Sequence, residues 1–432
     1  MNGVIYYIWQ NRLLRNRELH TTDGKRMEII DYGSWDESRG IVKNAKLKIG
    51  DKIYNGDVLL HSKHSSCTER NEAASAETDN IILQISIDKI SNTEERFAAN
   101  SVQVKCNEEL IEEYDAMERG NYRLPCTRVM SELENVILHS HLSRLLIERI
   151  EEKARNIEKV FKACDSKWDD TLFKIIIRSF GFGIQGNIFE DWAAILDMKA
   201  LAKHRDNIVQ IEAIMFGQAG LLNEESIPYY YREQALKSSY FKELVKEFRF
   251  LSHKFNLKTM DYKSWGTSNA TPHMRIARLA SLYYSQKTSM SSIAACDTIE
   301  ELHKLLTTGL HGYWYNHTCF GGTETCGNAA MKARHCDIVI INAIVPILFI
   351  YGKRHKDNKL CNKAEDFLHL MKNEENSIVR RWKEQGIGID CAADSQAFLQ
   401  LNKKYCSVCN CKNCHFAYHY IKQRFSEQRT DN

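Results

Sequence analysis

Three groups of residues in this 432-residue chain have types and spacings suited to chemistry. The first is Asp57-Val58-Leu59-Leu60-His61. Alternate residues of a strand share a face, so Asp57, Leu59 and His61 would point the same way, and a carboxylate and an imidazole could approach one metal ion. One carboxylate with one histidine is a poor Mg²⁺ site, because that ion takes an octahedral set of oxygens. The competing reading is that Asp57 caps a strand end and His61 is a part-buried sheet residue. The second group is Cys406, Cys409, Cys411 and Cys414, four thiols within nine residues. Thiolates at intervals of two and three residues can converge on one soft metal: zinc first, an iron–sulfur cluster second, free thiols as the bland alternative. A site this closed would clamp the C-terminal segment rather than do chemistry. The third is Gly181-Phe182-Gly183-Ile184-Gln185-Gly186, which satisfies GxGxxG in spelling. A dinucleotide site needs a strand immediately before that motif. Here Trp168, Leu172, Ile175, Ile176 and Phe180 recur at helical spacing, so a helix–loop–helix joint is expected and no nucleotide.

Weaker signals remain. Tyr229-Tyr230-Tyr231-Arg232 and Arg380-Arg381-Trp382-Lys383 mix aromatic rings with cations, as single-strand nucleic-acid surfaces do, although a solvated helix face explains them equally. Glu212 and Gln218, in "IEAIMFGQAGLL" over 211–222, could face a polar cleft, but single polar residues of this kind are more often satisfied core groups. Gly217 and Gly220 would allow close helix contact and a turn. Ser395 has no neighbouring histidine to make it a nucleophile.

The elements that must position these residues fall into two regions. Between about 26 and 106 the apolar pattern has period 2, in "KRMEII", "KNAKLKI", "YNGDVLLH", "NIILQISI" and "SVQVKC", with a turn at Ile49-Gly50-Asp51. Helical period then takes over: 108–119 reads as a short acidic helix, 133–160 as a long amphipathic one, and most of the chain to 425 as helices of ten to twenty residues. The fold class expected is α+β, a small N-terminal mixed sheet followed by a large all-helical part. The expected divisions are 1–128, 129–405 and a cysteine-rich segment 406–432. Hydrophobic residues make up 43% and charged residues 27% of the chain, enough for a sizeable soluble core. The longest apolar run, 338–351, is shorter than a membrane span and contains Asn342 and Pro346, so a buried helix is expected and no membrane. Ten of the fourteen cysteines are scattered and no signal peptide precedes them, which suits reduced thiols in a cytoplasm. A formal charge of +3 neither demands nor excludes nucleic acid, although residues 401–432 set six cations against two carboxylates.

Several stretches together carry a resemblance: "IW" at 8–9, "LHTTDGKRMEII" at 19–30, "FGF" at 180–182, "IEAIMFGQAGLL" at 211–222, "RIARLA" at 275–280, "DSQAFLQL" at 394–401, and Cys406, Cys411 and Cys414. The chain resembles an uncharacterised bacterial family, domain of unknown function 2851, over nearly its whole length. The motifs of that family, an Asp ahead of one strand and a Glu followed by His on the next, are similar to those of PD-(D/E)XK nucleases, whose restriction-endonuclease-like sheet holds Mg²⁺ between two carboxylates. The resemblance puts the first carboxylate at Ile41 and the second at Leu59, with Gly40 in the place of the proline. Ser65, Ser66, Cys67, Arg70, Glu72 and Gln84 fall on further polar positions of the family. Of the motif Arg-Pro-Ala-Asn-Phe-Pro, only Pro272 survives within 267–272. Scaffold residues persist where ligands are gone. The implied function is a catalytically degenerate nuclease-like protein that binds or scaffolds, on nucleic acid or another protein. The alternatives are a rearranged metal-dependent nuclease around Asp57 and His61, revived by any further carboxylate such as Asp36, Glu37 or Glu69 beside them, and a protein-interaction subunit with a structural metal.

Overall fold

The computed structural model describes residues 3–15, 17–36, 41–61, 80–87, 100–104, 106, 108–119, 126–182, 185–266, 272–323 and 331–427. The chain forms two compact units. One comprises Met1–His141, Gln385–Ile387 and Leu401–Asn432, the other Leu142–Glu384 and Gly388–Gln400. The expected α+β class holds, with a mixed sheet in the first unit and helices through most of the rest.

In the first unit the strands are β1 (Leu19–His20), β2 (Arg26–Asp31), β3 (Ser34–Asp36), β4 (Ile41–Ile49), β5 (Lys52–His61), β6 (Ile81–Ser86) and β7 (Asn100–Gln103). Their order is β1-β2-β4-β5-β6-β7, with β3 on β4. The pairs from β1 to β5 are antiparallel, whereas β5–β6 and β6–β7 are parallel. In β4 the inward residues Ala45, Leu47 and Ile49 alternate with exposed Lys46 and Lys48. A bulge between Val42 and Ala45 resets that alternation, with Asn44 at φ +55°. β6, flanked on both sides, buries Leu83, Gln84, Ile85 and Ser86 in succession, as a central parallel strand does. Helix α1 (Gly3–Gln10) is buried along Val4, Ile5, Tyr7, Ile8 and Trp9 and packs on β5 and on α2 (Glu108–Glu118). The last helix, His415–Glu427, packs on α2 and on α3 (Cys126–Glu132). Tyr420 Oη donates to Glu113, Arg424 pairs with Glu109, and the Arg17 guanidinium donates to the Phe425 carbonyl. The cysteine segment is thereby part of the sheet-bearing unit.

In the second unit follow α4 (Asn135–Ala163, whose first residues lie in the first unit), α5 (Trp168–Ser179), α6 (Gly186–Ile195), α7 (Met198–Lys203), α8 (Ile208–Gln218), α9 (Tyr229–Lys237) and α10 (Ser239–Phe255). α8 is buried on all sides, from Ile211 to Gln218. Its Gly217 lies against the Phe248 ring of α10 so closely that a Cβ would stand 2.1 Å from a ring carbon. Gly220, at φ +75°, turns the chain beside the Met260 carbonyl. Residues Ala333–His355 form one continuous helical run with a π turn at Ile340–Ile344. It is long and apolar enough to cross a membrane, but most of it is buried in this unit, against α5 and the Asn358–Leu370 helix.

Candidate functional site

The bulge on β4 and the pairing of β4 with β5 place Ile41 directly opposite Leu59, and Leu59 opposite Gln84 on β6. On the other side of Ile41 stands Asp36 of β3. Residues in register across a sheet share a face, so Asp36, Ile41, Leu59 and Gln84 form one row across four strands. The two positions that the nuclease motif assigns to carboxylates are therefore nearest neighbours, and both are aliphatic. Asp57 lies on the same face as Leu59, one pleat away, and its Oδ1 accepts the backbone N–H of Asn44 at 3.1 Å. It secures the bulge in the left-handed conformation. Asp36, the one carboxylate in the row, pairs with Lys43 Nζ at 3.0 Å. By strand spacing and rise, the Cα atoms of Asp36 and Asp57 are about 12 Å apart. The carboxylates at hand are thus turned to a lysine and to a backbone amide, and as arranged they do not fit a Mg²⁺ ion. The His61 side chain, Glu37, Gly40, Ser65, Ser66, Cys67, Glu69, Arg70, Glu72 and residues 267–271 lie outside the described residues.

Among the cysteines, Cys406 ends a π turn, Cys409 sits at φ +51°, Cys411 opens a short 3₁₀ turn, and buried Cys414 precedes the last helix. No disulfide joins Cys406, Cys409, Cys411 or Cys414. Among the described residues no three His, Cys, Asp or Glu side chains are gathered into a metal-holding group. Burial raises the pKa of Tyr7, with Cys414, Tyr418 and Cys411 adding to it. Beside the segment, His141 stacks on His415 with centroids 4.8 Å apart, and its Nε2 lies 3.0 Å from Nε2 of His419, so one ring donates and the other accepts. Burial holds His419 below the usual imidazole range, with Lys422 and His415 adding to it.

The second unit holds two polar clusters, of which the one around Lys153 was not foreseen from sequence and the one around Glu212 was foreseen only as a residue that could face a polar cleft. Lys153 Nζ donates to the Oε1 of Gln396 at 2.7 Å, the Oδ1 of Asn342 at 2.9 Å and the Ile341 carbonyl at 3.3 Å. The last two acceptors belong to the π turn, one a side-chain oxygen of Asn342 and the other the backbone carbonyl of Ile341. Burial pushes Lys153 down to about 7, and Arg149 adds repulsion. Gln396 in turn donates to Glu374, and Gln400 to Glu152. These are the glutamines of "DSQAFLQL". The second cluster holds Glu212, 3% exposed, whose Oε2 accepts the Tyr240 hydroxyl at 2.8 Å; that hydroxyl accepts Trp314 Nε1 at 2.9 Å. Burial pushes Glu212 up to about 7. His273, 2% exposed, rests among Phe216, Trp314 and Phe320 and is pushed down to about 4 by burial.

Gln218 is a satisfied core group: it accepts from Asp197 N and donates to the carbonyls of Ile195 and Lys258. It also lines a cavity of about 360 Å³, with Cys164, Asp170, Lys174, Asp197 and Lys258 among its walls. Burial raises Asp170 and Cys164 and lowers Lys174. Gly181 and Gly186 touch within the joint between α5 and α6, which has a helix on each side. Tyr229 and Tyr230 are 89% and 81% exposed, whereas Trp382 is packed on Phe398.

A family model described as protein of unknown function (DUF2851) matches residues 2–377. The chain belongs to that family. No curated protein and no solved structure matches the chain. The family match covers the sheet row, the Glu212 cluster and most of the second unit, and it stops short of the terminal cysteines.

Proposed function

We propose that this chain is a catalytically silent relative of the PD-(D/E)XK nucleases, kept in the cytoplasm as a binding or scaffolding component on nucleic acid. The observation that carries the reading is the register of Ile41 opposite Leu59. In a working site these two cross-strand neighbours would be the metal carboxylates; an aliphatic pair supplies neither charge nor oxygen ligands. The mixed sheet, antiparallel through the motif strands and parallel beyond them, suits a restriction-endonuclease-like ancestry. The spacing of the terminal thiols suits a structural zinc, with an iron–sulfur cluster as the second choice, and as no three of them are gathered in the structure, the metal would have to draw them together. The test is incubation with Mg²⁺ or Mn²⁺ and single- and double-stranded substrates. No cleavage, together with salt-dependent binding, is expected. Cleavage abolished by Asp57→Ala would overturn the reading. For the thiols, metal analysis after anaerobic purification decides: zinc near one per chain is expected, and four freely titrating thiols with no metal refute it.

A second reading has one observation in its favour. Asp36 flanks Ile41 on the same row, so a rearranged site could draw on Asp36, Asp57 and His61. It requires Asp36 to leave Lys43 and Asp57 to release the Asn44 amide. Divalent-dependent cleavage lost in both Asp36→Asn and Asp57→Asn would establish it.

A further inference from the structure

The outward face of α10 gathers exposed cations around one exposed aromatic ring. Several exposed cations elsewhere on the unit are matched by carboxylates, as in Arg144–Glu148, Arg178–Glu190, Lys237–Glu233 and Lys353–Glu151. On α10 the exposed face carries Lys242, Lys246, Arg249 and Lys254 against one exposed carboxylate, Glu243. Glu247, the other acid of the helix, accepts from Gln210. Among the described residues, Lys242, Lys246 and Arg249 have no hydrogen-bond or ion-pair partner. In the middle of these cations sits Phe250, 62% exposed, with Lys254 Nζ 5.8 Å from its ring centre. The opposite face, with Phe241, Leu244 and Leu251 buried and Phe248 against Gly217, fixes the helix on α8.

We propose that this face of α10 is a docking surface for single-stranded nucleic acid. The proposal rests on the nucleic-acid reading above and gives it a location. Lys242, Lys246, Phe250 and Lys254 follow one another at four-residue steps, about 6 Å of rise each, close to the phosphate repeat of an extended strand. Four exposed cations against one exposed carboxylate supply the charge that neutralises phosphates, and an exposed ring among them supplies a platform on which an unstacked base can lie. A duplex keeps its bases stacked and offers Phe250 nothing, so a single strand is the occupant. An anionic membrane surface would call for a broad apolar face turned outward, and α10 turns out one ring.

The test uses the full chain, a labelled dT20 oligonucleotide and fluorescence anisotropy between 50 and 200 mM salt. Reversing three cations in K242E/K246E/R249E is expected to weaken binding at least about tenfold and to flatten the log–log salt slope by about 2, since each phosphate left without its cation takes about 0.7 off that slope. Phe250→Ala is expected to weaken binding at least about fivefold and leave the salt slope unchanged, as the removal of stacking would. K287E/K304E/K359E, which removes three exposed lysines elsewhere on the unit, should bind as the parent does. If the parent binds dT20 and both α10 variants bind equally well, this surface is wrong and the nucleic-acid reading stands. If the parent binds neither dT20 nor a duplex at 50 mM salt, both fall. Binding instead to vesicles of 30% phosphatidylserine, abolished in the same triple variant, also overturns the proposal. Should the reversal variant misfold by circular dichroism, K242Q/K246Q/R249Q carries the test with a slope change of the same sign.

Discussion

Placing carboxylates at Ile41 and Leu59 tests the proposed remnant site directly. In the double variant I41D/L59E the new groups occupy facing positions on β4 and β5, where Cβ atoms of antiparallel partners are about 5 Å apart. Without metal, two carboxylates at that distance repel by about 1 kcal/mol in water and about 3 kcal/mol at an effective dielectric of 20. Both sites are half-buried, so a cost of about 1–3 kcal/mol is expected, besides the lost burial of two aliphatic side chains. A divalent ion relieves the repulsion and binds only the folded form. At a hundred times its dissociation constant that is about 2.7 kcal/mol of stabilisation, or about 5–10 °C in Tm for a unit of this size. The assay is thermal unfolding in 10 mM MnCl₂ against EDTA for the parent, both single variants and the double variant. The expected result is a Mn²⁺-dependent rise of at least about 5 °C in the double variant alone. A folded double variant whose Tm ignores Mn²⁺, as its neutral counterpart I41N/L59Q should, refutes the placement of a degenerate metal site at this row.

Three further outcomes follow from the buried groups and the tight helix packing. Lys153 is depressed in the folded state from 10.5 to about 7, so the unfolded chain binds more protons between those values and stability rises with pH across that window. Urea midpoints should show the parent gaining up to about 3 kcal/mol from pH 7 to 9.5 that Lys153→Met does not gain. Glu212 is shifted the other way, from 4.5 to about 7, so its contribution is intact below pH 4.5 and is lost as pH rises through 7. Glu212→Gln, which still accepts from Tyr240, should be stabilised relative to the parent by up to about 3 kcal/mol more at pH 8 than at pH 4.5 in the same assay. Gly217→Ala drives a Cβ into the Phe248 ring and should cost about 1–3 kcal/mol; Phe248→Leu in the same chain should restore part of the lost Tm, and strict additivity of the two changes would contradict the close approach.

The sheet was legible because β2, β4, β5, β6 and β7 alternate or are rich in β-branched residues, and their segments sit where the period-2 runs predict. The long helix expected over 133–160 appears as α4. Less legible was α1, which is apolar nearly all round and carries no clear period. The short hairpin at His317–Cys319 and Gly322–Thr323 was also hidden within a helical stretch. At the proposed remnant site, the aliphatic residues Ile41 and Leu59 could be read from the sequence, but not their pairing across β4 and β5. Asp57 shows why: as a type it suggests a ligand, and only its bond to the Asn44 amide makes it a backbone support. The Lys153 cluster draws on α4, the π turn and the Ala392–Leu401 helix, so the lysine lies more than 180 residues in sequence from each of these acceptors. No local pattern could have announced it. The α10 surface, by contrast, was within reach of a helical-wheel reading.

The return of the last helix to the sheet-bearing unit has a consequence for the order of biosynthesis. That unit takes residues from both sides of the second one, so α2 and α3 leave the ribosome long before the His415–Glu427 helix that covers them. At 5–20 residues per second, the roughly 260 residues between His141 and Leu401 take about 13–50 s to make. During that interval the second unit can finish folding while the first waits with an apolar flank uncovered. A stop codon near residue 400 would make that waiting state permanent, and chaperone capture of such a truncated chain measures how strongly the sheet depends on its final helix.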